Sequence, residues 1–275
     1  MTANPLHRYY RQPKIYISLP SKGNYYPQGV FTGTSSNVPI YGMTGVDEIA
    51  IKTPDALFSG EATVGLIQSC CPVIHSASQM PVIDLEALLV AIRIATSGNT
   101  LHVNHECNAC KEHNEYDIDL TKILDHYSGL EFENTIVISE DLTVYVRPLT
   151  YQELSKFSTE NFKIQKKLMQ IKELGDDEQR AMFDSIYKEI AELQLTLLLQ
   201  SIESVRIPEG IVTDPEFIKE WLTNTDKIAH EKIKLGIEKN KAKWEMPEFT
   251  VVCADPECQA ENKISVTLDY SSFFA

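Results

Sequence analysis

The fold of this chain is decided by two short stretches, Cys107-Asn-Ala-Cys110 and Cys253-Ala-Asp-Pro-Glu-Cys258. Alternating apolar and polar residues, typical of β-strands, lie on both sides of each pair, for example at Leu101–Val103 before the first and at Asn262–Leu268 after the second. The order strand, cysteine pair, strand therefore occurs twice. The two half-sites of a zinc ribbon are built in this way, and we call the two stretches the first and the second half-site.

The four cysteines form a complete ligand set for one metal ion. Structural zinc takes four tetrahedral ligands, and four thiolates are a common set. We therefore predict that Zn²⁺ binds Cys107, Cys110, Cys253 and Cys258. Because four protein ligands leave no position for water or substrate, this zinc would be structural. Two alternatives stay open: a ribbon without metal, and thiols buried as small apolar groups.

Three neighbouring histidines and the long spacing between the half-sites also bear on the zinc prediction. His102, His105 and His113 flank the first pair, and each is a possible replacement for a cysteine ligand, although a surface histidine beside such a turn is more often a bystander. Roughly 140 residues separate the half-sites, which is far more than the usual spacing within a zinc site. The intervening segment must therefore form an insertion whose ends return to the same place.

The predicted fold class is α+β, with short strands, a split zinc ribbon and an inserted helical hairpin or bundle. Residues 1–45 are rich in Gly, Pro, Ser and Tyr and are predicted to form an extended N-terminal arm. Residues 46–149 together with 245–275 are predicted to form the α+β domain that the ribbon closes. Residues 150–244 change to long stretches rich in Leu, Ile, Lys and Glu and are predicted to be the helical insertion.

Hydrophobic periodicity and turn residues give the individual elements. Strands are predicted at 14–18 and 47–52, a β-hairpin at 134–146, and helices from Thr53-Pro54-Asp55 to about Cys70, from about Asp84 to Gly98, and at 150–173, 176–204 and 214–243.

Composition bounds the function. The formal net charge of −14 opposes nucleic-acid binding, which needs clustered lysine and arginine. No apolar run approaches the roughly 20 residues of a membrane span, and the polar, basic start of the chain predicts no secretory signal. Lysine-rich residues 227–243 are interspersed with glutamates, so helical Glu/Lys pairing explains them better than nucleic acid does. Proteins are the expected partners.

Candidates for catalysis are weak. The sequence lacks a phosphate-binding glycine loop, a Gly-x-Ser-x-Gly elbow and a His-Glu-x-x-His motif. Cys70 and Cys71 end an apolar stretch and are predicted to be buried, and a catalytic pair of Cys71 with His75 has no supporting signature. The acidic residues between Glu131 and Asp141 resemble a solvated edge. We therefore predict that the protein is not an enzyme.

Aromatic residues near both ends suggest contacts with other proteins. We favour an interface role for Tyr25, Tyr26, Phe31 and Tyr41 of the arm. For the terminal residues 270–275, burial beneath the ribbon and an interface role are equally compatible with the sequence.

Four segments carry a resemblance to a known family: Leu19-Pro20-Ser21-Lys22-Gly23, residues 40–53, Asp55–Gly60, and the helix leading to Ser69-Cys70-Cys71-Pro72. In these the chain resembles T4-type bacteriophage baseplate hub subunits and hub-assembly proteins of contractile tails, best over the first 150 residues. The zinc prediction rests on the cysteines of this sequence and not on the resemblance.

The resemblance implies a non-enzymatic protein, made in the cytoplasm of the infected bacterium, that helps to build the central hub of the tail baseplate or stays within it. Its expected partners are other hub proteins and the tape measure protein, with several copies per assembly and neither nucleic acid nor membrane. The alternatives are a zinc-ribbon nucleic-acid-binding or transcription-associated factor and, less favoured, a thiol-dependent or hydrolytic enzyme.

Overall fold

A computed structural model describes residues 4–53, 60–170, 176–268 and 273–274. The chain forms two units: residues 1–131 with 244–275, which we call the discontinuous unit, and residues 132–243, the inserted unit. Within the described residues there are eight α-helices and ten short strands, and every strand pairing is antiparallel. The prediction of a mixed helical and stranded chain is thereby confirmed. The predicted domain boundaries at 45, 149 and 244 stay predictions.

The discontinuous unit begins with strand β1 (Ile15–Ile17), which pairs with β2 (Val38–Ile40). Helices α1 (Gly45–Ile51), α2 (Glu61–Cys70) and α3 (Leu85–Ser97) follow. Helix α3 is the core element, since most of its residues are buried, and it ends at Gly98 as predicted.

Residues 47–52 were predicted as a strand, but 47–51 lie in helix α1 and Lys52 is its C-cap. The cause is a capping box: the Thr44 hydroxyl accepts from the Asp47 backbone N–H, and the Asp47 carboxylate accepts from the Thr44 backbone N–H. This reciprocal pair fixes a helix start that the strand preference of Ile49 and Ile51 does not overcome. The predicted helix start at Pro54 and Asp55 lies outside the described residues, whereas its predicted end at Cys70 is confirmed.

Both half-sites form the predicted hairpins. Strand β3 (Thr100–Glu106) pairs with β4 (His113–Asp119), and β9 (Glu248–Val252) pairs with β10 (Glu261–Ser265). Helix α4 (Thr121–Ser128) follows the first hairpin.

The inserted unit contains a four-stranded sheet in the order β5-β6-β7-β8. Its strands are β5 (Thr135–Val137), β6 (Thr143–Val146), β7 (Ile202–Ile207) and β8 (Gly210–Val212). The β5–β6 hairpin is the one predicted at 134–146.

Two of the predicted helix boundaries in this unit are wrong. The middle helix ends at Ser201, not 204, because β-branched residues from Ile202 onward pair with β6. The helix predicted at 214–243 is two helices, since Thr225 is extended and Asp226 accepts a hydrogen bond from the Ala229 backbone N–H at 2.8 Å.

Four helices accompany the sheet: α5 (Tyr151–Gln170), α6 (Asp176–Ser201), α7 (Pro215–Asn224) and α8 (Lys227–Lys243). Helices α7 and α8 supply Ile218, Leu222 and Ile233 to the core over the sheet. Helices α5 and α6 form a hairpin with its own small core, in which Ile164 packs with Ile186. None of the described helices combines the length and apolarity needed to cross a membrane.

The described part of the C-terminus is buried. Phe273 and Phe274 are 1% and 9% exposed, and the Phe273 carbonyl accepts a hydrogen bond from Arg93 Nε of helix α3 at 2.7 Å. Of the two roles considered for the terminal aromatics, the structure therefore shows burial for these two, while Tyr270 lies outside the described residues.

Candidate metal centre

The structure brings the four predicted cysteines together. The sulfur atoms of Cys107, Cys110, Cys253 and Cys258 all lie within 4.8 Å of one another. Two of these distances cross between the half-sites, at 3.9 Å from Cys107 to Cys258 and 3.6 Å from Cys110 to Cys253. Four sulfurs at about 2.3 Å from a tetrahedral zinc are about 3.8 Å apart, whereas a disulfide would bring two of them to about 2 Å. The spacing fits zinc, and all four thiols are free.

The turns that hold the sulfurs are closed in the same way in both half-sites. The residue after the second cysteine has a left-handed backbone in each, with φ of 66° at Lys111 and 46° at Gln259. In each, the backbone N–H of that residue donates to a carbonyl four residues earlier, at 2.9 Å and 3.1 Å. Lysine and glutamine rarely adopt this conformation, so its repetition indicates that the two turns have the same construction despite the longer second loop.

The thiols strongly affect one another's protonation. The Cys110 backbone N–H and the Asn262 side chain lower the pKa of Cys107 to about 6. The Glu112 backbone N–H lowers the pKa of Cys110, but burial and hydrogen bonds to the other three cysteines outweigh it and raise that pKa to about 12. Four thiolates this close repel one another unless a cation lies between them, which is the chemistry of a metal-ligand set.

None of the three flanking histidines joins the sulfurs. Among the described residues, the cysteines alone form a group of metal-ligand atoms. His102 Nδ1 lies 2.6 Å from Asp117 Oδ1 on the exposed face of the first hairpin, and His113 is exposed. The Nε2 atom of His105 is buried and has no hydrogen-bond partner within the described residues.

Cys70 and Cys71, at the end of helix α2, are the two cysteines outside the cluster. Cys70 and Cys71 are fully buried, and burial raises their pKa values to about 11 and about 12. His75 Nε2 lies 2.9 Å from Thr32 Oγ1, so the hydroxyl of Thr32 is its hydrogen-bond partner there. The Cys71 thiol is therefore protonated at neutral pH, as expected of a buried structural cysteine.

Four lysines of the lysine-rich segment 227–243, which was considered as a nucleic-acid contact, form ion pairs with glutamates. Lys227 pairs with Glu231, and Lys234 with Glu238, each four residues apart along α8. Lys239 and Lys243 share the carboxylate of Glu133. These contacts support the prediction of Glu/Lys pairing in this lysine-rich helix.

Four polar residues that were not among the predicted site residues make buried hydrogen bonds: Asn114 and Asn262 beside the sulfur cluster, and Ser21 with Asp84. Asn114 and Asn262 are buried beside the sulfur cluster, and the signal that identifies them is their identical place four residues after the second cysteine of each half-site. Ser21, in the segment that carries the resemblance, donates through its backbone N–H at 2.7 Å and its hydroxyl at 2.6 Å to the buried carboxylate of Asp84. Tyr26 donates to the same carboxylate at 2.7 Å, so this predicted interface residue is in part a core contact.

The fold and the site define a class: a mixed α/β protein in which two distant segments of the chain meet at a four-thiol cluster suited to a structural metal. The chain belongs to the family of T4 bacteriophage base plate proteins, because the model of that family matches residues 40–275. Comparisons with curated proteins and with solved structures gave no match. The matched range includes both half-sites and confirms the resemblance to T4-type baseplate proteins. Membership implies a structural role in the phage tail, in contact with other baseplate components.

Proposed function

We propose that this protein is a structural component or an assembly factor of the central hub of the baseplate, and that a zinc ion held by Cys107, Cys110, Cys253 and Cys258 stabilises it. The family match over residues 40–275 carries the baseplate role. The resemblance of residues 19–23 and of the segments after them to hub subunits and hub-assembly proteins supports the hub. The sulfur cluster supports the zinc.

The proposed zinc would act as a cross-link. Its four ligands come from two hairpins whose inner cysteines, Cys110 and Cys253, are 143 residues apart. When bound, the ion neutralises thiolate charge and ties the two half-sites together; the cysteines, the turns at Lys111 and Gln259 and the hairpin strands hold the ligands in place. With four protein ligands, the site is suited to stabilising the fold.

The proposed partners are other hub proteins and the tape measure protein, with several copies of this chain per assembly. Exposed apolar side chains on the α5–α6 hairpin support a role in protein contacts. Met169 and Tyr187 are 74% and 66% exposed, and Tyr187 stacks with Phe183 at a ring-centroid distance of 6.4 Å. Large exposed apolar side chains grouped on one element are typical of interaction surfaces.

Quantitative mass spectrometry of purified phage particles tests the hub role. A few copies per particle, in a fixed ratio to known hub proteins, would identify a permanent hub subunit. Absence from particles with abundance in infected lysate, and with capture of free tape measure protein or hub intermediates, would identify an assembly factor. Absence from both the particles and the hub intermediates would refute the proposal.

The zinc is tested separately by metal analysis of the gently purified protein. We expect about one zinc per chain, and none in a variant in which all four cysteines of the cluster are replaced by serine. A metal content near zero in the unaltered protein would refute the zinc site and leave the baseplate role untouched. Retention of DNA that falls steeply with salt would instead favour the nucleic-acid alternative.

A further inference from the structure

Each half-site contributes a buried asparagine at the same relative position. Asn114 follows Cys110 by four residues, and Asn262 follows Cys258 by four. The two side chains are 4% and 2% exposed. An amide buried to this degree needs hydrogen-bond partners for its oxygen and its nitrogen, and the partners show what it holds.

Asn114 reaches from the first half-site into the second. Its Oδ1 accepts a hydrogen bond from the Ala254 backbone N–H at 2.7 Å. Its Nδ2 donates to the Glu112 carbonyl at 2.9 Å and lies 3.6 Å from Cys253 Sγ. The backbone donor and the backbone acceptor fix the orientation of the amide. Cys253 Sγ then lies 3.6 Å from Nδ2 and 3.7 Å from Oδ1, and of these two atoms only the N–H can donate to a thiolate.

Asn262 makes the same contacts in the opposite direction. Its Oδ1 accepts from the Asn108 backbone N–H at 2.9 Å. Its Nδ2 donates to the Ala260 carbonyl at 3.1 Å and to Cys107 Sγ at 3.4 Å. Each asparagine thus contacts the first cysteine of the other half-site, the residue after that cysteine, and the backbone of its own turn.

We propose that Asn114 and Asn262 are positioning residues that couple the two half-sites into one metal site. This inference rests on the proposed zinc site. Through its N–H···S contact, each asparagine orients a thiolate from the opposite hairpin and reduces the charge on its sulfur. Neither half-site has this support by itself, because the donor for each first cysteine lies on the other hairpin.

The chemistry of the cluster explains why such donors are needed. Four thiolates around one Zn²⁺ leave two net negative charges in a partly buried site, where uncompensated charge is costly. Hydrogen bonds to a charged acceptor are stronger than those between neutral groups. Groups that hydrogen-bond to metal ligands typically change metal affinity by about 10- to 100-fold when they are replaced.

The test uses Asn114→Asp and Asn262→Asp in the full chain. Aspartate has the shape of asparagine and keeps the oxygen acceptor for the backbone N–H, but it replaces the N–H donor by an anionic oxygen. Asn104→Asp is the matched control, because it adds the same charge at an exposed position of strand β3 in the first hairpin. Zinc affinity is measured by competition with a chromophoric chelator.

We expect each of the two cluster variants to bind zinc about 10- to 100-fold more weakly than the unaltered chain, and the control to bind within about threefold of it. In the cobalt-loaded protein, the sulfur-to-cobalt charge-transfer bands should move to lower energy in the two variants and not in the control. Unchanged affinity and unchanged bands in both variants would overturn the positioning role while leaving the four-cysteine site intact. Failure of the unaltered chain to bind zinc or cobalt would instead refute the proposed zinc site.

A measurement on the unaltered chain covers the case in which the variants do not fold. With ¹¹³Cd in place of zinc, scalar coupling should be detectable between the metal and the side-chain amide protons of Asn114 and Asn262, through N–H···S–Cd. The side-chain amide of Asn104 should show none. Detection of ¹¹³Cd coupling to the cysteine β-protons without coupling to either asparagine would overturn the proposal.

Discussion

Removal of the metal should destabilise the discontinuous unit by at least about 4 kcal/mol, a magnitude that follows from the position of the cross-link. The inner ligands Cys110 and Cys253 are 143 residues apart, but contacts within the inserted unit hold its two ends together, so the metal closes a loop made of residues 111–131 and 244–252 and those joined ends. The chain-entropy relation used for disulfides gives about 4 kcal/mol for a loop of this size when the unfolded chain keeps the metal. The measured loss should exceed this figure when the unfolded unit releases the zinc, because the binding energy of a structural zinc is then also folding energy.

The assay follows denaturant unfolding of the discontinuous unit with and without a chelator. The chain has two tryptophans, so Trp221→Phe leaves Trp244 as the only one. Trp244 reports on this unit, since its ring stacks on buried Tyr127 at a centroid distance of 6.3 Å. Cys258→Ser should abolish the response to the chelator, whereas Cys70→Ser, which removes a buried sulfur outside the cluster, should preserve it. A zinc-loaded protein whose unfolding free energy fell by less than about 1 kcal/mol on chelation would refute the cross-link.

Three further predictions concern packing and ionisation. Gly65→Ala in helix α2 should stabilise the folded protein by about 1 kcal/mol, because a Cβ there meets no atom within 4 Å. Gly236→Ala in helix α8 should destabilise it by about 1 kcal/mol, because the added Cβ would lie 2.5 Å from Ile136 Cδ1. The denaturation midpoints of the two variants check both predictions. The Cys71 thiol, with its pKa raised to about 12 by burial, should react far more slowly with iodoacetamide at pH 7.5 in the folded than in the unfolded chain, and fast labelling would contradict its assigned burial. Burial raises the pKa of Asp84 from 3.8 to about 6, so folding favours the protonated carboxyl. The resulting stabilisation, up to about 3 kcal/mol, is complete below pH 3.8 and is lost as the pH rises through about 6. A carbon-13 NMR titration of this carboxyl with a midpoint near 4 would contradict the prediction.

The candidate site could be predicted from the sequence because its parts are local. A cysteine pair in a turn between alternating strands is one continuous segment, and two copies of it identify the four sulfurs that belong to one site. The same locality explains why helix α3 and the β5–β6 hairpin were predicted, since each has its own periodicity and its own end signal at Gly98 or at the 139–141 turn.

The errors occur where a partner distant in the sequence, or a reciprocal cap, determines the structure. Residues 202–207 continue the apolar pattern of helix α6, but they become a strand because β6, about 60 residues earlier, offers an edge to pair with. The contacts of Asn114 and Asp84 likewise depend on distant segments, although the matching places of Asn114 and Asn262 after the two cysteine pairs are visible in the sequence. Asn114 depends on a hairpin that begins more than 130 residues later, and Asp84 depends on the loop around Ser21.

Hydrogen bonds join the two ends of the inserted unit, so we expect this unit to stay folded when zinc is removed. Near its start, the Glu133 backbone N–H donates to Asn240 Oδ1 at 3.0 Å, and Asn240 Nδ2 donates back to the Glu133 carbonyl at 2.7 Å. Asn240 is 4% exposed, and Lys243, at the end of the unit, pairs with the Glu133 carboxylate. The two ends of the insertion are therefore held together by contacts of its own, independent of the cysteines. In a Trp244→Phe variant, which leaves Trp221 as the reporter of the inserted unit, chelation should shift the unfolding midpoint very little. A shift as large as that of the discontinuous unit would show that the zinc stabilises both units together.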